Sequence, residues 1–289
     1  MRRLLLSLTA AWIVLAPAGT ASAGAIAANV ADHILTVTGS GEGEAITVGC
    51  DSGEVTVNQS QPDGGPEPCA DLRRILVFAE GGSDRVSLGG VTPGAFDSLG
   101  DVVVDGEAGD DTLIGSGLGD LLDGGGGTDT LRGGGGSDLL QPGPGAGDVT
   151  GGKGHDTVTV EGNASWTIND ERILRLTTDS LEIALSSVEA AVVTAGNGDD
   201  TLSGASFSGS LFLFGGRGDD RIQSGARHDT LDGGDGNDYL DSGAGNDLLE
   251  GRAGADALRG GEGNDELRGG PGDDTCTGGP GADSELSCS

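Results

Sequence analysis

The chain has 289 residues, of which 59 are glycine and 3% aromatic, and its 15 basic residues face 47 acidic ones, for a formal net charge of -32. That excess of negative charge makes nucleic acid and anionic membrane surfaces poor partners. High charge with little bulky apolar content fits a disordered chain unless bound cations cancel the charge, and regularity in the sequence decides between the two.

The first 23 residues read as a secretory signal. Arg2 and Arg3 precede an apolar run from Leu4 to Leu15, Pro17 breaks it, and Ala21-Ser22-Ala23 offers an A-x-A cleavage site. The run is shorter than the roughly 20 residues of a membrane span, and no later stretch is long and apolar enough for stable membrane insertion, so the expected location is extracellular. Four cysteines suit an oxidising compartment and allow three pairings; the low entropy of closing short loops favours Cys50 with Cys69 and Cys276 with Cys288. No C-x-x-C spacing is present and only three histidines exist, which argues against zinc.

Residues 24–105 hold short alternating apolar segments, among them Ile34-Leu35-Thr36-Val37, Ala45-Ile46-Thr47-Val48 and Ile75-Leu76-Val77-Phe78, separated by Gly, Asp and Pro turns. They read as strands at solenoid-like spacing. Over residues 106–159 a nine-residue pattern takes over. Asp111, Asp120, Asp129, Asp138 and Asp156 follow glycine clusters, and Leu113, Leu122, Leu131, Leu140, Val149 and Val158 hold the apolar position two residues on. Asp148 falls one place late and leaves Gly147 where an aspartate belongs.

Residues 160–195 look like a strand-rich insert around Trp166, Ile168, Ile173, Leu174, Leu181 and Ile183; a helix over 179–191 is the alternative that its β-branched content disfavours. The pattern returns over residues 196–289. Asp200 opens it, and Asp220, Asp229, Asp238, Asp247, Asp256, Asp265, Asp274 and Asp283 then recur at a strict nine-residue interval. Ile222, Leu231, Leu240, Leu249, Leu258, Leu267 and Cys276 take the apolar position, and Glu285 takes it in the last repeat.

Stretches such as GGDGNDYLD from Gly233 and GGEGNDELR from Gly260 resemble the RTX nonapeptide G-G-x-G-x-D-x-U-x, a calcium-binding parallel β-helix repeat. The resemblance implies an all-β parallel β-roll, or β-solenoid, in which two nonapeptides form one 18-residue coil and U points inward. Aspartates 18 apart would then stack in two columns, Asp220, Asp238, Asp256 and Asp274 on one edge and Asp229, Asp247, Asp265 and Asp283 on the other, with Ca2+ between successive coils. Calcium takes six to eight oxygens at about 2.3–2.6 Å, which carboxylates and turn carbonyls supply. One leucine per half-coil contributes only about 1.5–3 kcal/mol, against an ordering cost of about 1–2 kcal/mol per residue. Like-charged columns add repulsion. Calcium is therefore expected to be obligatory for folding.

Departures mark weak points. Arg227 stands at a glycine position before Asp229, Gly147 and Gly209 replace aspartates, and Leu213 and Phe214 are two extra residues expected to form a bulge or an offset coil. Arg217-Gly218-Asp219 spells an adhesion tripeptide, but repeat chemistry accounts for it, as it does for His155 and His228. Asn58-Gln59-Ser60 and Asn163-Ala164-Ser165 are glycosylation sequons by spelling.

No metalloprotease, nucleophile-elbow, Walker or EF-hand motif occurs. The expected function is that of a secreted calcium-binding protein with a structural or surface-interaction role, not an enzyme. The rivals are a secreted polysaccharide-modifying or hydrolytic enzyme carrying such repeats and an RTX-type toxin. Nothing in the sequence names a protein or polysaccharide partner.

Overall fold

The structure, a computed structural model, describes residues 26–176 and 181–288; the signal expected over 1–23 lies outside them. Among the described residues, apart from one turn of 3-10 helix at Cys69–Asp71, the regular elements are all β. The fold follows from the nonapeptide. The x-U-x segment is a minimal strand whose middle side chain points one way and its neighbours the other, so Arg221–Gln223, Tyr239–Asp241 and Ala257–Arg259 each bury only the central residue. Each glycine turn then sends the chain to the opposite sheet. Strands 18 residues apart pair in parallel: Leu231 beside Leu249 beside Leu267 in one sheet, and Ile222 beside Leu240 beside Leu258 beside Cys276 in the other. Two stacked sheets of 13 and 14 strands result, with a core one side chain deep. Its members from Leu113 to Leu267 are almost wholly excluded from solvent.

The same two sheets continue through the N-terminal region. Ile34–Thr38, Arg74–Phe78 and Asp101–Asp105 lie parallel in one, and Ala45–Asp51, Arg85–Ser87 and Thr112–Ile114 in the other. Longer connections here bury Leu72, Leu88, Val91 and Phe96, which thickens the core. Two antiparallel strands cover the N-terminal end: Ala27–Ala31 against Ile34–Thr38, and Glu54–Val57 against Ala45–Asp51. The disulfide Cys50–Cys69 ties that end together.

In the middle, Ser165–Asn169, Arg172–Leu176 and Leu181–Ser186 make an antiparallel meander inside one sheet. It lies parallel to Gly147–Lys153 on one side and Thr201–Ser206 on the other, and Trp166, Ile168, Ile173 and Ile183 fill the space behind it. The segment 181–197 is two strands, Leu181–Ser186 and Ala190–Asn197, rather than a helix.

Leu213 and Phe214 form no bulge. Ala190–Asn197 and Ser210–Arg217 are each eight residues long, with Leu211 opposite Ala191, Leu213 opposite Val193, and Leu213 also opposite Leu231. The two additional residues lengthen paired strands, because a solenoid strand can grow along its axis without disturbing the ladder beside it. The offset predicted from the sequence is real and the bulge is not.

At the C-terminal end the pattern frays. Cys276 is only half-buried, and Cys276–Cys288 is bridged. Glu285 aligns with Leu267 yet stays exposed, its carboxylate accepting the Gly278 N–H at 2.8 Å.

Candidate metal sites

Each six-residue turn is shaped by its glycines. In the turn from Gly233, Gly234 and Gly236 adopt φ of 112° and 146°, a left-handed region that residues with a Cβ avoid. The first glycine serves a different purpose: it has no side chain because the aspartate carboxylate and a carbonyl of the next coil occupy that space. A Cβ on Gly106 would lie 2.6 Å from Asp111 Oδ2 and 2.7 Å from the Gly124 carbonyl oxygen. Gly215 with Asp220 and the Gly233 carbonyl repeats this arrangement, as does Gly251 with Asp256 and the Gly269 carbonyl.

The two oxygens of each carboxylate have separate roles. Oδ1 accepts the backbone N–H of the aspartate one coil earlier. The Asp220 N–H donates to Asp238 at 2.8 Å, Asp238 to Asp256 at 2.8 Å, and Asp256 to Asp274 at 2.9 Å. On the other edge Asp229 donates to Asp247 at 2.9 Å, Asp247 to Asp265 at 3.0 Å, and Asp265 to Asp283 at 3.0 Å. In the first block Asp111 donates to Asp129 at 2.9 Å, Asp120 to Asp138 at 2.9 Å, and Asp138 to Asp156 at 3.0 Å; Asp200 donates to Asp220 at 2.8 Å.

Oδ2 of Asp111, Asp129, Asp138, Asp156, Asp200, Asp220, Asp229, Asp238, Asp247, Asp256 and Asp265 is buried with no hydrogen-bond donor. A buried anionic oxygen without a partner is costly, and the titration behaviour reflects it. Desolvation pushes Asp138 and Asp238 up to about 7, and Asp129, Asp220 and Asp247 to about 6, against the pull of the capping N–H. Neighbouring carboxylates in the column add to the rise.

These rows of orphaned oxygens facing main-chain carbonyls fit a hard divalent cation. The donor set is entirely oxygen, as calcium requires. Among the described residues no three His, Cys, Asp or Glu side chains gather to hold a metal. A cation here would therefore be held by carboxylates one coil apart together with turn carbonyls.

The sequence-predicted aspartates all stand on the two edges; the central meander interrupts one column, and the turn ending at Gly209 interrupts the other. Asp111 and Asp129, and later Asp200, Asp220, Asp238, Asp256 and Asp274, precede strands of one sheet; Asp120, Asp138 and Asp156, and later Asp229, Asp247, Asp265 and Asp283, precede strands of the other. Asp120 differs from the rest, since its Oδ2 accepts the Ser116 N–H at 2.6 Å and its Oδ1 the Ser116 hydroxyl at 2.8 Å.

Three acidic residues extend the columns beyond the sequence reading. The Glu44 N–H donates to Asp84 at 2.6 Å, the Asp84 N–H to Asp111 at 2.7 Å, and the Asp156 N–H to Glu189 at 2.9 Å. Glu44 Oε2 and Asp84 Oδ2 are buried and unpartnered like the others. Gly147 does sit opposite Asp129, while Asp148 points to solvent. The turn ending at Gly209 has no carboxylate, and a Leu211 methyl group fills the space beside Gly204 instead. Arg227 is held at φ 90° in a glycine's place.

The other motifs are absorbed by the turns. The Asp219 carboxylate accepts the Asn237 N–H at 2.8 Å, and Arg217 lies 3.5 Å from Asp235. His228 Nδ1 accepts the Asn246 N–H at 2.9 Å. Asn58 uses its amide to bind Thr47 and Ala45 main-chain groups at 2.8 and 2.9 Å.

Among solved structures, the extracellular lipase LipA from Serratia marcescens matches at 21% identity and a TM-score of 0.30, covering 66% of this chain and 36% of its own. The chain thus spans about a third of that lipase's length. No curated protein matches the chain. The model of the RTX calcium-binding nonapeptide repeat matches residues 96–122, 105–140, 114–149, 123–158, 192–211, 214–249 and 250–285. With more than half of its length matched, and its aspartates stacked in two columns against turn carbonyls, the chain belongs to the RTX calcium-binding nonapeptide repeat family.

Proposed function

We propose that this is an exported protein whose β-roll folds as it binds calcium, and that its role is structural or surface-interacting rather than catalytic. The observation that supports calcium-driven folding is the repeated buried Oδ2 with no donor, set against a carbonyl of the next coil. Bound calcium supplies the positive charge that these oxygens lack. The chain's own part is to hold each carboxylate in place through Oδ1, so that Oδ2 faces the cation as successive coils close on it. Binding free energy then becomes folding free energy. Export is supported by the Arg2-Arg3, Leu4–Leu15 and Ala21-Ser22-Ala23 pattern and by two disulfides.

Calcium titration of the purified protein, followed by circular dichroism, tests the folding step. β signal should grow with a midpoint in the range of about 0.1–1 mM typical of extracellular modules. Equal β content in chelator and in calcium would refute it. Turnover of polysaccharides, lipids or casein by the calcium-loaded protein would refute the non-catalytic role.

A further inference from the structure

The two edges of the second block are not built alike. Before Asp220, Asp238 and Asp256 the first turn residue is Gly215, Gly233 and Gly251, and before Asp229 and Asp247 it is Ser224 and Ser242. In the turns at Gly215 and Gly251 the space over the first glycine is shared by the aspartate Oδ2 and the next coil's carbonyl. In the serine turns that space holds a hydroxyl. Ser224 Oγ donates to the Ser242 carbonyl at 2.9 Å, and Ser242 Oγ donates to the Gly260 carbonyl at 2.6 Å. Both serines are buried, with exposures of 2% and 0%. One coil earlier the edge has no carboxylate, only the Leu211 methyl group beside Gly204.

We propose that Ser224 and Ser242 stand in for a cation in their turns, so that calcium in the second block is concentrated on the edge of Asp220, Asp238 and Asp256. The proposal rests on the calcium reading above. A carbonyl already accepting an O–H bond offers a cation less, and the serine Cβ takes the space that the aspartate Oδ2 and the next coil's carbonyl share over a first-position glycine, which leaves no room for a metal that gathers six to eight oxygens. The O–H to carbonyl bond ties one coil to the next without any ion. Asp229 and Asp247 then serve as caps for the Leu211 and Asp229 N–H groups, which they bind at 2.8 and 2.9 Å.

The test counts tightly held calcium per full-length chain by native mass spectrometry and follows the β signal that survives in chelator. Ser224→Gly and Ser242→Gly should each gain one calcium and lose β signal in chelator. Ser224→Ala and Ser242→Ala, which keep the Cβ and remove the hydroxyl, should keep the parent count. Gly233→Ser, placing a hydroxyl on the opposite edge, should lose one calcium. Loss of a calcium from either alanine variant would make serine a ligand and overturn the proposal, as would glycine variants with an unchanged count. A parent protein that holds no calcium would overturn the functional reading instead, and a loss of β signal in chelator from the alanine variants would still report the hydroxyl bridge.

Discussion

Asp238 joins two roles that substitution can separate. Its Oδ1 accepts the Asp220 N–H at 2.8 Å, while its Oδ2 is buried without a donor. Asp238→Asn retains an acceptor for that N–H and removes the charge; Asp238→Ala removes both. In chelator near neutral pH, the alanine variant leaves a buried N–H unsatisfied, at a cost of about 1–3 kcal/mol. The asparagine variant should retain at least as much β structure as the parent. Burial has already pushed this carboxyl up to about 7, and an uncompensated buried charge costs on the order of several kcal/mol. In saturating calcium the order changes, with the parent most stable and both variants short of a ligand. Thermal melts by circular dichroism in each buffer provide the comparison. If asparagine is as damaging as alanine in chelator, or matches the parent in calcium, the division of labour between the two oxygens is wrong.

The metal-free roll should gain β signal as pH falls from 7.5 toward 4.5. Asp138 and Asp238 titrate near 7 and Asp129, Asp220 and Asp247 near 6 when folded, against a usual 3.8. The folded state therefore binds more protons, and the stability this confers is present at low pH and lost as pH climbs through 6 to 7. In calcium the same acidification should release the ion, which a calcium electrode reads directly; metal-free signal that rises with pH instead would refute the assignment. Replacing Cys276 and Cys288 by serine should cost about 3 kcal/mol in the chain-entropy picture and speed hydrogen exchange in the last coil first, with exchange elsewhere unchanged. Arg227→Gly should raise the melting temperature, since relief of a left-handed φ of 90° contributes about 1 kcal/mol and the arginine's hydrogen bond to the Ser208 carbonyl is exposed at 3.2 Å.

Much of this was legible in the sequence because the repeat states both periods at once. The apolar residue two places after each aspartate identifies the inward side chain, and Leu113, Leu131, Leu231 and Leu249 are all fully buried. The spacing of nine, doubled, places Asp220 next to Asp238 and Asp229 next to Asp247. Glu44, Asp84 and Glu189 escaped because their partners lie 40, 27 and 33 residues away in sequence. Longer turns intervene, so no fixed interval points to them. The capping role of Oδ1 was also hidden, since spacing says which carboxylates are neighbours but not which coil's N–H each one serves. At Leu213 and Phe214 the sequence revealed two surplus residues but not their placement, which depends on the neighbouring strand lengthening to match.

The mismatch between a nine-residue sequence unit and an 18-residue coil gives the molecule a parity. Deleting 18 residues within 214–285 would remove one coil and leave every remaining strand in its sheet and every aspartate on its side. Deleting nine would carry everything downstream across the molecule. Leucines would still meet leucines and aspartates still follow aspartates, so a roll could re-form, but Gly260 and Gly278 would trade sides with Gly251 and Gly269, and the tail bearing Cys288 would swing to the far face together with its partner. Length changes in this chain thus come in odd and even kinds, and only the even kind preserves which side of the roll each residue faces.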